Sequence, residues 1–173
     1  MTDPVLTPVG YDTFVADIHT LATALADSEW QPGFIIGIGR GGLVPATYLS
    51  HACGLPLLSV DHSTGIESFG DRLLGKLAGQ TRDGAHLLVV DDINDSGRTI
   101  GHIRRALRAA GSVADNIRYA VLIDNVTSTE RVDYYARSID RTVTKDWFVF
   151  PWEAVADRTS ILRDAAEVPE RIA

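Results

Sequence analysis

Cysteine is almost absent from this chain of 173 residues: Cys53 stands alone, so no intrachain disulfide can form. The five histidines (His19, His51, His62, His86 and His102) make no HExxH motif or paired cluster, and no Cys/His spacing suggests zinc. Basic residues are scarce as well. Sixteen Lys and Arg stand against 23 Asp and Glu, a net charge of −7. A general nucleic-acid binder needs a basic face that releases counterions, so nucleic acid is not an expected partner. No apolar run approaches the ~20 residues of a membrane span. The opening MTDPVLTPVGYD lacks the basic patch and apolar run of a signal peptide. The expectation is a cytoplasmic protein with no membrane partner. Internal repeats and low-complexity tracts are missing too.

What is present suits a globular fold. Hydrophobic residues make up 45% of the chain, enough to bury a core, and the length suits one domain over residues 1–173. Tyr11, Phe14, Val15, Ile18, Leu21, Ala22 and Leu25 recur at helical spacing and predict a helix over 11–28. Phe34–Ile38 is an apolar run without polar alternation, which suits a parallel strand covered on both faces. A helix is expected over 43–53, with Pro45 in its first turn and Gly54 as its stop. Residues 56–60 and 87–91 read as further strands, 99–110 as a helix, and 117–123, 132–136 and 147–150 as strands. Residues 62–84 are rich in Gly, Ser, Thr and charge, with one weak helical piece near 71–78. They read as a long mobile segment, either a lid or a plain loop. Strands alternating with helices predict an α/β fold with a mainly parallel sheet.

Two loops carry chemistry. Gly37-Ile38-Gly39-Arg40-Gly41-Gly42 matches G-x-G-x-x-G between a strand and a helix, and Asp61 lies where a dinucleotide fold keeps its ribose acid. Arg40 weakens that reading, because a dinucleotide loop leaves the pyrophosphate to backbone N–H groups. A chain of this length also leaves little room for a substrate domain. The second loop is Leu88-Val89-Val90-Asp91-Asp92-Ile93-Asn94-Asp95-Ser96-Gly97-Arg98-Thr99. A buried strand runs into adjacent carboxylates, which repel each other unless hydroxyls or a metal lie between them. Ser96, Gly97 and Thr99 then offer hydroxyls and free N–H groups at the positive end of a helix, which favours a phosphate. Acids beside a phosphate cradle suit a ribose 5-phosphate. The plain alternative is an acidic surface turn, with Asp95 as an ordinary helix cap.

The stretch VVDDINDSGRT resembles the phosphoribosyl pyrophosphate signature of the type I phosphoribosyltransferases. IGIGRGGLVPA resembles their pyrophosphate loop, and VDYYARSIDRTVTKDWFVFPWE is similar to the base-binding hood of the bacterial xanthine-guanine enzymes. The matches come in the family's order and span about residues 34–153. The resemblance implies a twisted parallel sheet flanked by helices, a Rossmann-like core over about 10–125. A small hood is expected from about 126–173 plus the N-terminal segment. It implies that Asp91 and Asp92 hold ribose hydroxyls, that Ser96, Gly97, Arg98 and Thr99 bind the 5′-phosphate, and that Arg40 and Gly41 contact pyrophosphate. Asp95, also at the donor, would be the catalytic residue, a carboxylate that faces the imidazole of a 6-oxopurine as general base. Trp147 would stack on the base and Phe148 would offer it backbone groups, with Glu153 near the hood.

The resemblance further implies a homo-oligomer. It also implies magnesium, held mainly through the donor's oxygens, with Asp91 and Asp92 as possible ligands. One position departs from the family pattern. Its 6-oxopurine members carry Lys after the fourth strand, and Asn125 stands there, while Lys145 reads as exposed. The expected activity is transfer of the phosphoribosyl group to xanthine, guanine or hypoxanthine. The alternatives are a non-catalytic sensor of phosphoribosyl pyrophosphate and a dinucleotide-binding enzyme.

Overall fold

The computed structural model describes residues 5–60 and 67–166, and for residues 67–71 the backbone only. Five strands form one all-parallel sheet: β2 (Phe34–Ile38), β3 (Leu57–Val60), β4 (Leu87–Asn94), β5 (Ile117–Asn125) and β6 (Tyr134–Ile139), in the order β3-β2-β4-β5-β6. The central strands β2, β4 and β5 are apolar on both faces over most of their length, and their side chains alternate between two cores. Ile35, Leu88, Val90, Ala120 and Leu122 meet Phe14, Ile18, Leu21 and Leu25 of α1 (Tyr11–Ala26) and Ala46 and Leu49 of α2 (Gly39–Cys53). Ile36, Ile38, Leu87, Val89, Ile117 and Tyr119 meet Leu74 and Leu77 of α3 (Glu67–Arg82) and Ile100, Ile103 and Leu107 of α4 (Arg98–Ala109). The result is three layers, helix on sheet on helix, as expected of a doubly covered parallel sheet.

A second, two-stranded parallel sheet joins β1 (Leu6–Pro8) to β7 (Trp147–Val149), pairing Leu6 with Trp147 and Pro8 with Val149. It is followed by a short 3-10 turn over Pro151–Glu153 and by α5 (Arg158–Ala166). Phe150 and Trp152 stack 4.8 Å apart, and Trp152 meets Phe14 edge-on. Trp152 is therefore packing, and it fastens this small sheet to α1.

Four expectations change. The strand at 132–136 runs Tyr134–Ile139 and is the fifth member of the main sheet, so the core extends past 125 into the expected hood. Helix α2 starts at Gly39, not near 43, so Pro45 lies inside it; having no N–H, it leaves the Gly41 carbonyl without a helical donor. Strand β4 continues to Asn94, because its pairing with β5 holds Asp91, Ile93 and Asn94 in register with Val121, Ile123 and Asp124. The segment 62–84 is mostly one helix, α3, anchored by buried Leu74, Leu77, Ala78 and Thr81. Residues 62–66 of the expected lid lie outside the described residues. Where the chain ends its second helix, the expectation holds: Gly54 adopts φ 67°, the left-handed cap that a side chain disfavours.

Candidate functional site

Strand β2 leads outward to β3, and β4 then returns on the other side of β2. The connections from β2 and β4 therefore diverge at their carboxyl ends, where parallel sheets open a ligand crevice. A cavity of about 280 Å³ opens there. It brings together Arg40 and Gly41 from the first loop, Asp91, Asp92, Asp95, Ser96, Gly97, Arg98 and Thr99 from the second, and Trp147, Phe148 and Glu153 from the small sheet and its turn. Those segments are remote in sequence, and each was expected at one site.

The first loop is fixed by close packing. A Cβ on Gly42 would lie 2.3 Å from the Val90 carbonyl oxygen, and one on Gly41 would lie 2.4 Å from Asp92 Oδ2. Only glycine lets the first turn of α2 press against β4. That contact carries the Arg40 cation to the cavity beside the acids.

Asp91 is buried at the floor. Its Oδ1 accepts the Asp92 N–H at 3.1 Å, and Asp92 Oδ1 accepts the Ile93 N–H at 2.8 Å. Burial, and next the neighbouring Asp92 charge, push the Asp91 carboxyl well above the ordinary carboxylate range. A hydroxyl donor or a cation set against the pair relieves both effects. Among the described residues no three acids, histidines or cysteines gather into a metal cluster. Two neighbouring carboxylates fit a magnesium ion that takes its other ligands from substrate and water.

The loop from Asp95 to Thr99 is held from behind. Gly97 adopts φ 86°, and a Cβ there would meet Thr129 Oγ1 at 2.6 Å. The Thr129 N–H and Oγ1 both donate to the Ser96 carbonyl, at 3.4 and 2.7 Å. Asn94 Nδ2 donates to Asp124 Oδ1 at 2.7 Å and to the Glu130 carbonyl at 2.8 Å, and Ser128 Oγ donates to Asn94 Oδ1 at 3.0 Å. This polar mesh, made by Asp124 at the end of β5 and by residues after it, has no sequence signature of its own. It fixes the loop of Ser96, Gly97, Arg98 and Thr99 that lines the cavity at the start of α4.

Asp95 is not a helix cap. Gly97 holds the N-cap position of α4, with no side-chain cap bond. The Asp95 carboxylate instead receives Arg141 side-on: Nε to Oδ1 at 2.9 Å and Nη2 to Oδ2 at 2.8 Å. Both side chains are buried. Arg141 Nη1 also donates to the carbonyls of Thr144 and Asp146, at 3.1 and 2.7 Å, and its Cζ lies 5.3 Å from the Phe148 ring centre. The arginine thus ties the signature loop to the segment leading into β7. Nothing in the linear sequence marks it, because Asp-Arg-Thr after a strand is ordinary turn composition.

Asn125 is corrected. It is buried and does not line the cavity. Its Nδ2 donates to the Asp95 carbonyl at 2.9 Å, and its Oδ1 accepts from Thr127 N–H, Thr127 Oγ1 and Arg141 N–H. Its amide is engaged beneath the Asp95–Arg141 pair, outside the cavity lining. Lys145 also stays outside the cavity lining. Glu153 stands in the cavity wall with Oε2 accepting the Phe150 N–H at 2.8 Å, and burial raises its carboxyl above the usual range. Asp61, the ribose acid of the dinucleotide reading, lies outside the described residues.

A family model described as a phosphoribosyl transferase domain matches residues 11–158. The xanthine-guanine phosphoribosyltransferase of Desulfotalea psychrophila (strain LSv54 / DSM 12343) is 26% identical over 149 residues, covering 84% of this chain and 85% of that protein. Among solved structures, the purine phosphoribosyltransferase from Pyrococcus horikoshii Ot3 superposes with a TM-score of 0.63 at 25% identity, over 88% of this chain and 97% of that one. The xanthine-guanine-hypoxanthine phosphoribosyltransferase of Helicobacter pylori shares the fold, with a TM-score of 0.64 at 19% identity over 86% and 94% of the two chains. No helix among the described residues is long and apolar enough to cross a membrane.

Proposed function

The chain belongs to the phosphoribosyl transferase family, and from that membership we propose that it transfers the 5-phosphoribosyl group of phosphoribosyl pyrophosphate to a 6-oxopurine. The products are a nucleoside 5′-monophosphate and pyrophosphate, as in purine salvage. The observation that carries this reading is the single cavity in which the acid pair, the α4 loop, Arg40 and the aromatic pair Trp147 and Phe148 meet. The relatives whose names specify purines support the choice of base class.

Each residue then has a physical task. Asp91 and Asp92 accept the ribose hydroxyls, whose hydrogen bonds offset the burial and, next, the Asp92 charge that make Asp91 hard to ionise. The N–H groups at Ser96–Thr99 and the start of α4 receive the 5′-phosphate. Arg40 and the Gly41 backbone stabilise the departing pyrophosphate. Trp147 stacks on the base, and Phe148 backbone groups read its edge. Magnesium, bound through donor oxygens beside Asp91 and Asp92, would neutralise charge on the leaving group. As purine N9 bonds to C1′, the bond from C1′ to the pyrophosphate oxygen breaks, and the proton on N7 passes to the Asp95 carboxylate.

The test is a panel of guanine, xanthine, hypoxanthine and adenine with phosphoribosyl pyrophosphate and magnesium. Product from one or more 6-oxopurines, with little from adenine, is expected. Donor binding with no product from any base would overturn catalysis and leave a sensor. Micromolar binding of NAD(H) without donor binding would restore the dinucleotide reading. Asp95→Ala is expected to lower kcat by about 10²–10⁴-fold, the range of a lost general base, with donor binding largely kept. Unchanged turnover would remove Asp95 from the chemistry.

A further inference from the structure

A guanidinium carries five N–H donors. In Arg141, Nε and one Nη2 hydrogen go to Asp95, and both Nη1 hydrogens go to the Thr144 and Asp146 carbonyls. The fifth, on Nη2 itself, has no acceptor among the described residues. Arg141 is only 7% exposed, yet it lines the cavity together with Asp95, Trp147 and Phe148. Leaving a buried donor without an acceptor is unfavourable. A bound molecule that brings an acceptor to this nitrogen removes the penalty.

The pair therefore presents two neighbouring functions at the cavity: acceptor oxygens on Asp95 and, beside them, a charged donor on Arg141. The imidazole side of a 6-oxopurine is the complement. Its 6-oxo group is an acceptor, and N7 carries a hydrogen in the tautomer that reacts through N9. Adenine offers amino hydrogens at position 6 in place of the oxygen, and these would face the guanidinium donor to donor.

We propose that Arg141 is the residue that selects a 6-oxopurine: Nη2 donates to the 6-oxo group while Asp95 accepts the N7 hydrogen, so the ion pair reads that edge of the base as a unit. The inference rests on the purine reading above and assigns its specificity. It also accounts for a chain with an asparagine at 125, since the Asn125 amide is spent on the Asp95 carbonyl, Thr127 and the Arg141 N–H. The cation at the base is supplied from the turn after β6, not from the end of β5. During transfer Arg141 keeps its protons, and only Asp95 changes protonation.

The experiment compares hypoxanthine with unsubstituted purine, which lacks the 6-oxo group, in the parent protein, Arg141→Lys and Arg141→Gln. The readout is kcat/KM at saturating phosphoribosyl pyrophosphate and magnesium, with donor binding measured by calorimetry. In the parent, hypoxanthine is expected to exceed purine by about 10- to 100-fold, the range of a hydrogen bond to a charged group. Arg141→Gln should remove most of that ratio, and Arg141→Lys, which keeps the buried charge, should retain part of it. An equal loss for both bases with donor binding intact would overturn the proposal and leave Arg141 as a positioning residue for Asp95. A parent ratio near one would overturn it whatever the variants do. A parent that turns over no 6-oxopurine at all would instead defeat the reading of function on which the inference stands.

Discussion

Two neighbouring parallel strands each end in a glycine-bearing loop and a helix, and the two loops work by different physics. After β2, glycine is needed for space: Gly41 and Gly42 bring α2 against Asp92 and the Val90 carbonyl, and the loop contributes the cation Arg40. After β4, Gly97 is needed for shape: a left-handed φ of 86° turns the chain into α4, and the residues after β5 hold that turn through Thr129 and Asn94. One loop is defined by what it presses upon and the other by what clamps it. A strand, a glycine and a helix therefore do not name a ligand. The first loop satisfied a dinucleotide fingerprint, yet its glycines are explained by contact with β4.

Gly42→Ala should break the first loop most severely. The two atoms nearest the added Cβ, the Val90 carbonyl oxygen and the Asp91 Cα, are backbone, so a loss of about 4 kcal/mol or more is expected, at the upper end for point changes. Urea denaturation checks this, and a loss under about 1 kcal/mol would show that α2 can withdraw from β4 freely.

Gly97→Ala should damage the second loop less: Thr129 Oγ1 can rotate away, and the backbone clash, with the Glu130 nitrogen at 2.8 Å, is milder than the one at Gly42, while the left-handed φ remains strained. About 1–3 kcal/mol is expected, with a raised KM for phosphoribosyl pyrophosphate. A variant with unaltered KM would separate this turn from the proposed 5′-phosphate site.

Asp91→Asn, on the floor between the loops, is the smallest effect on stability and has the opposite sign. Burial raises the folded-state carboxyl above its unfolded value. Its favourable contribution is present when protonated, below the unfolded value, and is lost as pH rises through the folded one. At neutral pH the buried carboxyl opposes folding, whether by holding its charge or by taking up a proton on folding, so the asparagine variant should melt about 2–4 °C higher. The gain should shrink as pH falls toward the acid range, while donor use is impaired at every pH. A gain that does not depend on pH would assign the effect to something other than Asp91 ionisation.

Much of this was legible in the chain itself. Apolar runs such as Phe34–Ile38 and Leu87–Val90 are short and carry no alternation, which suits strands covered on both faces. The signature loop was legible because its donors and acids are consecutive residues on one turn. Boundaries were less so. Pairing with β5 extends β4 to Asn94, and sheet pairing draws Tyr134–Ile139 out of the expected hood. Helix α3 was underestimated because its glycines and charges lower local propensity, while burial of Leu74 and Leu77 stabilises it from outside the segment.

The layered parallel fold and the loop that carries Asp91 to Thr99 follow from local periodicity and adjacency along the chain. The partner of Asp95 and the duty of Asn125 come from packing between distant segments. Arg141 lies 46 residues from Asp95 and reaches it because β6 pairs beside β5 and delivers the following turn to the cavity. A contact between side chains so far apart depends on the register of strands, which no local pattern encodes.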